Sequence, residues 1–152
     1  MKNALIAILA ITLALLAGTS NAATSANPPK PATVLAALKS EGLPVGTYRV
    51  YTESTDGNKL LGRPGQYVGK ANFHDKRLEK SATYDTSSGG AVEVFASRAA
   101  ALNRFKYLKA ITQSMPLLVE YDYLEGLVLL RVAGDLTPTQ ARKYEAALRK
   151  RF

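Results

Sequence analysis

The spacing of apolar residues predicts a small set of elements. Val34, Leu35, Ala37 and Leu38 recur at helical spacing and Gly42 with Pro44 stops the run, so a first helix is expected from about residue 33 to 41. Residues 47–52 are β-branched and aromatic and read as a strand. In the next strand, 66–73, alternation sets Tyr67, Gly69, Ala71 and Phe73 on one side and Val68, Lys70, Asn72 and His74 on the other. Residues 91–95 form a third strand. Ser97 then caps a helix reaching about Met115, with Leu102, Phe105, Leu108 and Ile111 as its apolar stripe and Pro116 preventing continuation. Residues 117–124 and 127–133 alternate around Glu125-Gly126 as a hairpin, and Thr137-Pro-Thr-Gln140 opens a last helix to about Arg151, with Ala141, Tyr144 and Leu148 facing inward. Three helices with apolar stripes need a sheet to cover. The expected fold is therefore α+β, a two-layer sandwich of about five mostly antiparallel strands with three helices, part of it a split βαβ unit. Glu120 and Asp122 share a strand side, which predicts a far sheet face at least partly wet.

The start of the chain changes this picture. Lys2, an apolar run from Ala4 to Ala17 and the small residues Ser20 and Ala22 have the three parts of a signal peptide cleaved after Ala22. That run is short beside the roughly 20 residues of a membrane span. The expected organisation is a signal peptide at 1–22, an Ala/Ser/Pro-rich disordered tether at 23–32 and a single domain at 33–152. The chain has no cysteine, so disulfides, thiol catalysis, thiolate zinc sites and lipid attached to cysteine are all excluded. The formal charge is +8, and +7 without Lys2: 19 basic side chains (20 less Lys2) against 12 acidic. An exported chain of that charge is steered toward anionic envelope polymers, head groups or acidic proteins. Nucleic acid is not an expected partner, and membrane contact is expected to be peripheral at most.

The most particular segment is 58–75, which holds Gly62, Gly65, Gly69, Pro64 and the only histidine, His74. Pro64 fixes its own backbone and pushes Arg63 away from helical dihedrals, while the flanking glycines allow a sharp bend. The candidate binding residues are Lys59, Arg63, Gln66, Tyr67, Lys70 and His74, with Arg63 able to fork onto a carboxylate or phosphate. The plainer reading is a structural turn whose Arg63 pins a neighbouring carboxylate. No catalytic set emerges: His74 and Asp75 are adjacent on a strand and point to opposite faces, and no Gly-x-Ser-x-Gly elbow is present. Glu120 and Asp122 are near enough for acid/base work, or else form the solvent side of a strand. The tyrosines on strands, Tyr48, Tyr51, Tyr67, Tyr121 and Tyr123, are either a carbohydrate or peptide platform or core residues whose hydroxyls reach water. No metal or other cofactor is expected.

The strings Leu60-Leu-Gly-Arg-Pro-Gly-Gln-Tyr67, Gly90-Ala-Val-Glu-Val-Phe95 and Tyr121-Asp-Tyr123 ahead of Leu129-Leu-Arg131 resemble a family of small exported bacterial proteins and lipoproteins of uncharacterised function. The resemblance implies export and no particular activity, and the chain departs from the lipoprotein members in lacking their cysteine. The resulting expectation is a non-enzymatic binding protein, secreted or periplasmic, whose partner is a protein or an anionic envelope component. The alternative is an envelope hydrolase or lyase using His74 or the Glu120/Asp122 pair.

Overall fold

The computed structural model describes residues 27–80, 82–115 and 119–152. The signal peptide expected at 1–22, the first part of the tether and the stretch from Pro116 to Leu118 lie outside them. In chain order the elements are α1 (Pro31–Ser40), β1 (Val45–Val50), β2 (Tyr67–Asp75), a 3-10 turn (Thr86–Ser88), β3 (Gly89–Phe95), α2 (Arg98–Ser114), β4 (Glu120–Glu125), β5 (Val128–Ala133) and α3 (Pro138–Arg151). The five strands form one sheet ordered β1-β2-β3-β5-β4, with every neighbouring pair antiparallel. The fold is the expected α+β. Because β5 lies between β3 and β4, the connection β3-α2-β4 joins two parallel strands across it, which is a split βαβ unit.

One sheet face carries the main core. Ala71, Phe73, Val92, Val94, Val128, Leu130 and Val132 alternate onto it and are covered by Val34, Leu35 and Leu38 of α1 and by Ala141, Tyr144 and Leu148 of α3. Pro31, expected in the tether, is buried at the first helical position of α1, where its missing N–H costs nothing. At the other end of the layer, Tyr144 donates its hydroxyl to Asp75 (2.6 Å), which Arg77 also grips through Nε (2.9 Å) and Nη2 (2.6 Å). Phe73 lies directly opposite Gly90 on β3, and a Cβ on Gly90 would collide with that ring. Thr137 and Gln140 close the capping box that their spacing predicts.

The second face is only half covered. Ala101 and Leu108 of α2 pack with Phe95 and Leu129 over the β3-β5-β4 side, while the β1-β2 side is left to polar residues. The sequence pattern fails here at one point. The register shifts between Tyr67 and Gly69, a β-bulge that turns Tyr67 onto the face opposite Ala71 and Phe73. Strict alternation had grouped the three together. The bulge instead stands Tyr67 edge-on to Phe95 (6.2 Å between ring centres) and on the same face as Lys70.

Candidate functional site

The loop between β1 and β2 is organised from within by Asp56. Its carboxylate accepts from Lys70 Nζ (2.7 Å), from the Tyr67 hydroxyl (2.7 Å) and from the backbone N–H groups of Leu60 (3.0 Å) and Leu61 (3.1 Å). Burial pushes the Asp56 pKa up, but the bonds from Lys70, Tyr67 and the two amides outweigh it and hold the group well below the usual carboxylate range. Burial, then the bond to Asp56, raises the Tyr67 phenol. Lys70 is sandwiched between the rings of Tyr51 (4.9 Å) and Tyr67 (5.6 Å).

This arrangement divides the expected binding residues. Tyr67 is fully buried and Lys70 nearly so (6 % exposed), so both support the loop rather than face a partner. Arg63, Pro64, Gly65 and Gln66 form a β-turn closed by Gln66 N–H to the Arg63 carbonyl (3.0 Å), with Pro64 second and Gly65 third at φ 73°, as a type II turn requires. Arg63 and Lys59 are exposed, and neither makes an ion pair among the described residues; Gln66 is half-buried behind them. His74 stands at the far end of β2, where Nε2 donates to the Leu78 carbonyl (2.8 Å). The six residues therefore do not converge on one surface.

The acid/base candidates are also engaged. Asp75 serves Arg77 and Tyr144 rather than His74. Glu120 is held bidentate by Arg131 (2.9 and 3.0 Å), and Arg131 and Arg104 together neutralise the fully buried Glu93. Asp122 is sealed on the α2 side of the sheet, 3.8 Å from Lys109 Nζ, with no hydrogen bond to either oxygen among the described residues. Nor do the five strand tyrosines share one surface: Tyr121 and Tyr123 pack on the main core, Tyr67 is buried on the opposite face, Tyr51 lies against Lys70 and Tyr48 is exposed.

What the fold does assemble is a polar cleft of about 410 Å3 on the uncovered β1-β2 side of the second face. One wall is the β1-β2 loop at Thr55, Gly57 and Asn58; the other is the 83–86 segment. Its floor follows from register. Arg49, Asn72, Ala91 and Arg131 are successive cross-strand neighbours on β1, β2, β3 and β5, and the small Ala91 separates Asn72 from Arg131. Asn72 is 8 % exposed. Its amide donates to the Tyr84 carbonyl (2.7 Å), which fixes the side chain, yet its Oδ1 has no partner among the described residues. A buried acceptor left unmet costs on the order of 1–3 kcal/mol, and with under 1 Å2 of its surface accessible a donor reaches this atom only if neighbouring side chains shift. Tyr84 takes a left-handed backbone (φ 55°), and the Arg49 guanidinium stacks over its ring at 5.1 Å. Arg49 makes no ion pair among the described residues, and stacking leaves its in-plane N–H groups available.

Sequence reasoning put Lys70, Asn72 and His74 on one strand side but took no signal from Asn72, although asparagine is depleted in strands. Arg49 was equally visible, alternating with Tyr48 and Val50 in β1. The contribution of Tyr84 was not legible, because it depends on the path of a loop. No protein-family model, curated protein or solved structure matches the chain.

Proposed function

We propose that the chain is an exported, non-enzymatic binding protein of the bacterial envelope or extracellular space, and that its recognition surface is the polar cleft at Arg49 and Asn72 rather than the tip of the Gly-Arg-Pro-Gly turn. The observation that carries this reading is the exposed Arg49 at the cleft, stacked on Tyr84 and without an ion pair among the described residues. The leader-like first 22 residues and the net positive charge support export and an anionic partner. The loop then acts as scaffold, its inner side fixed by Asp56 so that Thr55 and Asn58 form a stable wall.

The test compares two arginines. Purified protein is titrated onto a washed bacterial envelope preparation at rising salt. Arg49→Ala is expected to weaken retention at least tenfold, whereas Arg63→Ala should leave retention within about twofold and, as an exposed substitution, change stability by no more than about 0.5 kcal/mol. Loss of retention on Arg63→Ala with Arg49→Ala unaffected would move the recognition surface back to the turn. Exported material should begin at Ala23 by mass spectrometry of the mature amino terminus; a product retaining Met1 would contradict cleavage.

A further inference from the structure

We infer that the protein has a second binding site, for a neutral saccharide, in the groove between α2 and the Gly65-Gln66 flank of the turn, with a sugar ring stacked on Tyr107 and its hydroxyls shared by the side-chain amides of Gln66 and Asn103. The site is separate from the Arg49 cleft, since the two have no lining residue in common.

Both walls of the groove are fixed from behind. On the loop side the Leu60 N–H donates to Asp56 (3.0 Å) and the Gln66 N–H closes the turn onto the Arg63 carbonyl (3.0 Å), which sets Leu60, Gly65 and Gln66 in place. On the helix side Arg104 grips the buried Glu93 through Nε (2.9 Å) and Nη2 (3.2 Å), and its guanidinium lies 5.4 Å from the centre of the Tyr107 ring. Tyr107 is therefore steadied by a side chain that is itself anchored, yet it is 57 % exposed. A single exposed tyrosine would carry no meaning. This one shares a helix face with Asn103, four residues before it, and stands across the groove from Gln66.

The lining selects the ligand. The side-chain amides of Gln66 and Asn103 and the Tyr107 hydroxyl make no hydrogen bond among the described residues, and Asn103 and Tyr107 are exposed while Gln66 is half-buried, so all three can be reached. Each amide offers two donors and an acceptor, which matches neighbouring hydroxyls on a ring. Arg104 is the one charged residue in the lining; it is paired with Glu93 and its side chain is only 10 % exposed, so an anion finds no free cation there. No carboxylate lines the groove, so a cation finds no partner either. Tyr107 and Leu60 add apolar surface. A pyranose brings both halves, a C–H face to lie on the ring and neutral hydroxyls for the amides. A wholly apolar ligand would strip water from the amides and return no hydrogen bond. An extended peptide would seek a free strand edge, whereas these walls are a turn and a helix. The volume of about 300 Å3 is at the lower end for small-molecule sites, roughly 300–1,000 Å3, and suits a mono- or disaccharide.

The experiment is an NMR titration of the 15N-labelled protein with cellobiose, maltose and N,N′-diacetylchitobiose as separate probes, at low and high salt. At least one is expected to bind with a Kd of about 1 mM or tighter, to shift the signals of Gly65, Gln66, Asn103 and Tyr107, and to keep its affinity within about twofold as salt rises, because the ligand carries no charge. Tyr107→Ala should weaken binding about tenfold, while Tyr107→Phe, which keeps the ring, should cost no more than about threefold. Asn103→Ala and Gln66→Ala should each cost about threefold, with thermal midpoints checked so that a fold defect is recognised. Arg49→Ala should leave sugar binding unchanged and Tyr107→Ala should leave envelope retention unchanged, so this site and the Arg49 cleft stand or fall separately. No shift with any of the three sugars would exclude the saccharide, and binding indifferent to Tyr107→Ala would place it elsewhere on the protein. Sodium glucuronate binding about tenfold tighter than every neutral sugar would replace the neutral ligand by an anion. A proline-rich peptide shifting the same signals where the sugars do not would make the groove a peptide site and overturn the proposal.

Discussion

Replacing Asp56 by alanine is expected to destabilise the protein by about 3–5 kcal/mol, the range for breaking one side of a buried ion pair. The carboxylate meets five donors: the Lys70 ammonium, the Tyr67 hydroxyl and the backbone amides of Asn58, Leu60 and Leu61. Removing it strands a cation whose side chain is only 8 % exposed, and leaves the loop closed chiefly by the Gly62 N–H bond to the Tyr67 carbonyl (3.0 Å). The shift in urea midpoint should be accompanied by faster proteolysis within residues 52–66. Lys70→Met added to Asp56→Ala should recover part of the loss, because the uncompensated charge has gone. A cost below about 1 kcal/mol for Asp56→Ala would mean that the loop does not depend on this staple.

Stability should also fall as pH rises from about 4 to 8, against the usual trend. Asp122 is 5 % exposed, and neither oxygen accepts a hydrogen bond among the described residues. Burial, reinforced by Glu120 on the same strand face, pushes it from the ordinary 3.8 up to about 7, with Lys109 and Arg131 pulling the other way. The folded state therefore binds a proton that the unfolded chain has already released between those values. The stabilisation is complete below about 3.8 and is lost as pH rises through about 7. Asp56 and Asp75 act in the opposite sense: hydrogen bonds from Lys70 to the first and from Arg77 and Tyr144 to the second overcome burial and lower both, so their contribution is lost only as pH falls below about 3.8. Asp122→Asn should lie nearest the parent protein at about pH 3.8, gain on it progressively as pH rises, exceed it most at pH 8 and show a flatter thermal midpoint between. An unchanged slope in that variant would assign the pH dependence to other groups.

The elements were legible because each is set by local rules. Ala141, Tyr144 and Leu148 define the buried stripe of α3 by spacing alone, Thr137 and Gln140 cap it, and the alternation of β5 assigns Val128, Leu130 and Val132 to the main core without reference to any other strand. The split βαβ unit follows from connection lengths. The turn at Pro64 and Gly65 was equally readable, since only certain residues tolerate its dihedrals. What that turn is for was not. Its cationic tip drew the eye, while Asp56, read only as part of a turn, proved to hold the loop together. A charged side chain in a sequence gives no sign of whether it will be buried. The bulge at Val68 is the sharpest case: one extra residue carries Tyr67 across the sheet, and no pattern within β2 records it, because a bulge exists only relative to the partner strand. The cleft is decided in the same way. Arg49, Asn72 and Arg131 lie on three different strands, and the chain brings them into one row only after β1, β2, β3 and β5 have paired in register. Sequence alone thus determined which faces are apolar and where the chain turns. Tertiary pairing decided which polar groups meet, because those contacts join residues that are distant along the chain.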